Sequence, residues 1–205
     1  MIATVQERLR KTEWRRRCVR ATDILLEGMW RLPVLGARFV SAERVLVPAN
    51  PCRVLFLCKG NICRSVFAEL VAHRLAGGRS GWEFRSAGLE AGTGTVSPDG
   101  AVRVGKEFGV DLESHRSRSV DPEDFSASDV VFVMEPRQRS DVLELAGLTR
   151  PTVVLLGAFC RQGEHRPVIR DPFGQEEAAY RRAFEQIQDA VTTVLACDDR
   201  TGRGL

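Results

Sequence analysis

One segment limits what this chain can fold into more than any other: Val54-Leu55-Phe56-Leu57-Cys58-Lys59-Gly60-Asn61-Ile62-Cys63-Arg64-Ser65. An apolar run ends in a cysteine, five residues follow, and arginine and serine open the helix-like stretch Val66 to Leu75. Physically this is a buried strand, a tight loop and a helix N-terminus. Successive backbone N–H groups at such a turn converge on one concavity, which suits a phosphate-sized anion. Arg64 adds a bidentate fork for two phosphate oxygens. Cys58 is expected at the floor of the cradle, where the positive helix end lowers a thiol pKa from about 8.5 to about 3.5–7.5. A thiolate beneath a phosphate ester is a nucleophile for phosphoryl transfer.

The rest of the chain alternates. Cys52 to Cys58 reads as an apolar central strand, followed by a helix that stops at Gly77-Gly78. Trp82 to Ala87 reads as a second strand, and Gly88 to Thr95 as a glycine-rich loop. Ser97-Pro98-Asp99 opens a helix that runs to about Phe108, and Asp121-Pro122-Glu123-Asp124 starts a short helical turn. Asp129 to Met134 is a third strand, Pro136 to Ala146 a helix, Thr152 to Leu156 a fourth strand, and Gln175 to Ala196 a last helix. Strands alternating with helices imply an α/β fold, a parallel sheet with helices on both faces. Ligands in such folds bind beyond the carboxyl ends of the strands, which is where Cys58 falls.

Residues 1–48 form a separate unit. They hold ten Lys/Arg against five acids, net +5, so the remainder of this +3 chain carries −2. An overall charge this small gives no reason to expect a nucleic-acid partner. Trp14, Cys18, Ala21, Leu25, Met29 and Leu32 recur at helical spacing, and Pro33 ends that helix. Two readings of residues 14–32 follow: the stripe packs against protein, or a basic amphipathic helix meets an anionic membrane or a partner. A linker, Val47 to Pro51, leads to a domain over residues 49–197, and residues 198–205 form a tail. The six cysteines make neither a disulfide framework nor a zinc spacing. Cys58 must stay a thiol to act, so a reducing, cytoplasmic location is expected, with peripheral membrane contact through the arm as the open extension. No apolar run reaches the roughly 20 residues of a membrane span.

A cysteine nucleophile needs an acid for the leaving oxygen, and Asp171 fits. It follows the fourth strand, in a loop expected on the same rim, and Pro172 stiffens it. With Asp171-Pro172-Phe173 over a hundred residues after the Cys58–Ser65 loop, the chain resembles the low-molecular-weight protein tyrosine phosphatase family. Arg85-Ser86-Ala87-Gly88, His115-Arg116-Ser117-Arg118 and Val131-Phe132-Val133-Met134-Glu135 carry the resemblance further. It covers residues 52–196 and leaves the arm aside. It implies a three-layer, flavodoxin-like sandwich with four parallel strands, preceded by the helical extension. It also implies hydrolysis of protein phosphotyrosine with no cofactor or metal. Cys58 would attack phosphorus, Arg64 hold the equatorial oxygens, Ser65 assist the thiolate, and Asp171 serve as general acid and then base. The amides of Lys59, Gly60, Asn61, Ile62 and Cys63 would cradle the phosphate. Asn61 would hold the loop through Ser65, Ser86 and His115, and Phe173 would flank the substrate ring unless it is core. Cys63 would either pack or bond Cys58 on oxidation. Cys18, Cys52, Cys160 and Cys197 are expected to pack.

The chain also departs from the family. Val66 stands where proline is usual, Leu89-Glu90-Ala91-Gly92 carries no ring, and Gly174 replaces a second aromatic. The mouth is therefore expected to be open. Protein-arginine phosphatase is a branch of the same family that shares Asp-Pro-Phe-Gly but has threonine where Ile62 stands. Isoleucine favours a phenyl ring over a phosphoguanidinium. Arsenate reductase would need further cysteines, and residues 135–150 have none. A phosphate-binding module without turnover is disfavoured by intact Cys58, Arg64 and Asp171.

Overall fold

The strand that feeds the loop runs Cys52–Cys58 (β1) and is flanked by two parallel neighbours. A computed structural model describes residues 52–79, 81–147, 149, 151–161 and 167–201, with side chains described for all but Cys52 and 197–201. The expected amphipathic arm and linker lie outside the described residues. The sheet adds β2 (Trp82–Gly88), β3 (Val130–Val133) and β4 (Val153–Leu155) in the order β2-β1-β3-β4, all parallel. Between them lie α1 (Arg64–Ala76), α2 (Asp99–Glu107), α3 (Pro122–Ser126) and α4 (Pro136–Ala146). A 3-10 turn, Leu156–Phe159, follows β4, and α5 (Glu177–Thr201) ends the described chain.

The order itself makes a sandwich. The crossover β1-α1-β2 moves outward one way, and β3-α4-β4 moves outward the other. Right-handed crossovers in opposite directions put α1 and α4 on opposite faces. Helix α5 packs on α1, stacking Phe184 on Phe67 with ring centroids 3.8 Å apart. Within the sheet Phe56 stacks on Phe84 and Phe132, and Phe132 meets Phe159 edge-on. The expected four parallel strands and helical layers are therefore present. Two boundaries differ. The segment read as loop after β4 begins with the 3-10 turn, whose Leu156 and Phe159 are fully buried. Helix α5 also runs on to Thr201, past the expected end at Ala196, because nothing between breaks it: no proline or glycine appears until Gly202.

β1 and β3 end at one rim, and β2 ends against the loop itself. A side chain at Gly88 would put its Cβ 2.7 Å from Ala91 Cβ, 2.9 Å from Lys59 O and 3.0 Å from Asn61 N. Only glycine lets β2 come this close to the turn. Val66, in the place of the family's proline, is fully buried and spends its side chain on packing in the first turn of α1.

Candidate active site

The turn between β1 and α1 is built around Asn61. Its φ of 51° is left-handed, the one positive value at a non-glycine among the described residues. Such a conformation costs about 1–3 kcal/mol and persists when its surroundings over-determine it. Here they do. Fully buried Asn61 donates through Nδ2 to Ser65 Oγ at 3.0 Å and to Ser86 Oγ at 2.9 Å. Its Oδ1 accepts the Arg118 N–H at 3.0 Å, and its main-chain carbonyl accepts from His115 Nε2 at 2.7 Å. A carbonyl cannot donate, so His115 Nε2 carries a hydrogen. Ser65, Ser86 and His115 thus stand where the sequence put them.

These bonds also fix the direction of two hydroxyls. Ser65 Oγ already receives an N–H from Asn61, and its other contact is Cys58 Sγ at 3.1 Å. When the sulfur is a thiolate it can only accept, and the Ser65 hydrogen then points at it. By the same reasoning Ser86, which also takes an N–H from Asn61, donates to Glu69 Oε2 at 2.5 Å. The Asn61 N–H adds a second donor to the sulfur at 3.3 Å. The Ser65 hydroxyl and the Asn61 N–H are thus the two groups hydrogen-bonded to Cys58 Sγ. Asn61→Asp is an informative test, because it keeps the shape and removes both Nδ2 donors. Ser65 and Ser86 would then turn to donate to the carboxylate, and the sulfur would lose its hydroxyl. We expect kcat to fall about 10²-fold, the order lost with one oxyanion donor. Steady-state kinetics check this; a variant with wild-type kcat would show that the amide does not set the hydroxyl.

Arg64 is the first residue of α1, 1% exposed, and it joins the loop to the rest of the rim. Nη2 lies 2.7 Å from Asp171 Oδ2; Nη1 lies 2.5 Å from Glu135 Oε1 and 3.0 Å from Ile169 O. Burial alone would push the guanidinium pKa down, but the charges of Cys58, Asp171 and Glu135 outweigh it and hold it above its usual value. Asp171 does two things. Its Oδ1 accepts the Phe173 N–H at 3.2 Å, closing a turn, while Oδ2 faces Arg64. The turn contact and the meeting with Arg64 are both present. Phe173 is 60% exposed, so it is not part of the core. Ile62 is half-buried and packs against the core. Lys59 reaches Glu90 at 3.8 Å, with both side chains about half exposed; such pairs contribute little.

Cys58 and Cys63 are free and buried. Burial, with the charges of Cys58 and Asp171, pushes the Cys63 thiol far up, against the opposing pull of Arg64, so it stays protonated. Cys160 is half-buried, and its thiol donates to Gln186 O at 3.3 Å.

Glu135, Ile169, Arg118, Glu69 and Gly88 carry no expected role from the sequence. For Glu135 a signal existed. It follows β3 directly, and the rule that places Cys58 beyond a strand end applies to it as well. Ile169, Arg118 and Gly88 act through main-chain groups or through close approach, which residue type does not announce, and Glu69 acts through a carboxylate whose partner Ser86 is distant in sequence.

A family model for the low molecular weight phosphotyrosine protein phosphatases matches residues 53–201. The chain belongs to this family. A probable low molecular weight protein-tyrosine-phosphatase, EpsP of Ralstonia nicotianae, is 30% identical over 139 residues, covering 67% of this chain and 90% of its own. Among solved structures, the YwlE arginine phosphatase from Geobacillus stearothermophilus superposes with a TM-score of 0.64 at 28% identity, covering 75% of this chain and 96% of that one. Wzb of Vibrio vulnificus, in complex with benzylphosphonate, gives 0.61 at 28% identity, covering 73% and 98%. In this family member no helix among the described residues is long and apolar enough to cross a membrane.

Proposed function

We propose that this protein is a protein tyrosine phosphatase that acts through a phosphocysteine intermediate. The observation that carries the reading is the 2.7 Å meeting of Arg64 and Asp171, which brings the loop and the strap of residues 167–176 that carries Asp171 to one point beside a hydrogen-bonded Cys58. Cys58 Sγ attacks phosphorus as a thiolate while the bond from phosphorus to the tyrosyl oxygen breaks, and Asp171 gives that oxygen its proton. Arg64 and the loop amides hold the three equatorial oxygens as charge builds on them. Water then attacks the phosphocysteine, Asp171 takes its proton, and the sulfur departs with the Ser65 hydroxyl donating to it. Phosphate leaves. Cys63, kept protonated by burial, takes no part in this cycle.

The substrate side rests on the rim. Ile62 presents an apolar edge, and exposed Phe173 offers a ring face to an aryl group. The benzylphosphonate held by Wzb, an aryl-bearing phosphate mimic, supports the same choice. Arginine phosphatase is the second reading. The likeness to YwlE favours it, as does Asp171-Pro172-Phe173-Gly174. Turnover of a phosphotyrosine peptide and a phosphoarginine peptide by the pure protein decides between them. Faster phosphotyrosine hydrolysis is expected. Equal or faster phosphoarginine hydrolysis would reject the role given to Ile62, and no turnover on either would return the site to a binding module.

A further inference from the structure

Gln138 is 1% exposed on α4, and the proposed chemistry gives it no task. Its Oε1 accepts the Met134 N–H at 2.9 Å and the Glu135 N–H at 3.2 Å. These two residues make the turn from β3 into α4, and the underside of Arg64 rests on them. Glu135 Oε1 takes Arg64 Nη1 at 2.5 Å. Met134 O accepts the Ile169 N–H at 3.0 Å, and the Ile169 carbonyl accepts the same Nη1 at 3.0 Å. Two residues further along that strap, Asp171 meets Nη2 at 2.7 Å. One amide oxygen thus fixes the stretch of main chain from which both the arginine clamp and the acid strap hang.

We propose that Gln138 is a positioning residue for phosphate binding and proton donation, setting Arg64 through Glu135 and the Asp171 strap through Met134. It rests on the phosphatase reading above. The turn needs such a group, because N–H groups leaving a strand for a helix have no ladder or helical partner. Gln138 reaches back to them from the third position of α4, as one half of a capping box. Its amide nitrogen, by contrast, is buried with no partner among the described residues. Were the side chain only filling space, methionine would fill it without burying an unused donor. What the site uses is the oxygen.

Two variants separate these readings. Gln138→Met keeps the volume and removes the acceptor. Gln138→Glu keeps an acceptor at a helix position where a carboxylate is favoured. Both are assayed on an aryl phosphate and titrated with orthovanadate, beside circular dichroism and thermal unfolding. Gln138→Met is expected to lower kcat and to weaken vanadate binding, each about tenfold, because small displacements of positioned groups are costly. Gln138→Glu is expected to keep both within about threefold of wild type, since the same two N–H groups remain bonded. Wild-type kcat and vanadate affinity in Gln138→Met, with lower thermal stability alone, would overturn the proposal. So would a Gln138→Glu variant as impaired as Gln138→Met. If Gln138→Met does not fold, Gln138→Asn, one methylene too short to reach, takes its place with the same expected losses. An inactive wild-type protein would reject the phosphatase reading instead, and the vanadate comparison would still test the link from Gln138 to Arg64.

Discussion

Cys58→Ser is expected to lower aryl phosphate turnover about 10³-fold or more, the order seen when a nucleophile is removed, while the fold and oxyanion binding survive. In the proposed cycle the sulfur attacks as a thiolate, with the Ser65 hydroxyl and the Asn61 N–H hydrogen-bonded to it. A serine hydroxyl brings a proton it must shed. No base stands ready for it in the first step: in the proposed cycle Asp171 then holds the proton meant for the leaving oxygen, and the nearest hydroxyl, Ser65, is not a base. The new hydroxyl would sit among donors with no acceptor of its own. The anion cradle is built from main-chain N–H groups and Arg64, none of which the change removes. Steady-state kinetics with p-nitrophenyl phosphate and calorimetric titration with tungstate test the two halves. Residual kcat near a tenth of wild type would remove Cys58 from the nucleophile's role. Lost tungstate affinity with an intact fold would show that the sulfur, and not the cradle, holds the anion.

What the sequence disclosed and what it hid divide along a physical line. The strand, turn and helix around Cys58 are local, and their spacing carries them. The rim position of Asp171 follows from a topological rule, and the structure puts it against Arg64. Asn61 was legible as the holder of the turn. The direction of the Ser65 hydrogen was not, because it depends on where both Nδ2 hydrogens of Asn61 go. Apart from the strand-end position of Glu135, the roles of Glu135, Ile169 and Gln138 were hidden for a related reason. Their work is done across register, by a carboxylate, a carbonyl and an amide oxygen that only the packing of β3 and the strap brings under Arg64. Gly88 looked like one more turn glycine, yet its missing side chain is what admits the loop. Phe173 could have been core on residue type alone; its exposure depends on a strap whose Asp171-closed turn faces outward.

Asp171→Asn separates the two steps of the proposed cycle. Its Oδ1 role in the turn needs only an acceptor, which asparagine keeps, so the strap is expected to hold its shape. What goes is the proton supply and the charge facing Arg64 Nη2. With phenyl phosphate, whose leaving oxygen needs a proton, kcat is expected to fall about 10²–10⁴-fold, the usual share of general acid catalysis. With p-nitrophenyl phosphate the leaving group departs as a stable anion, so the first step is largely spared. The second step still needs a base for water and slows. Rapid mixing should therefore show a burst of nitrophenolate close to one equivalent per protein, followed by slow turnover. Arg64, relieved of one of its two carboxylates and keeping Glu135, is free to turn Nη2 to an anion, and tungstate should bind at least as tightly as in wild type. Equal losses on both substrates with no burst would place Asp171 outside proton transfer, in the support of Arg64 alone. Weaker tungstate binding would show instead that the ion pair with Asp171 holds Arg64 in its phosphate-binding pose.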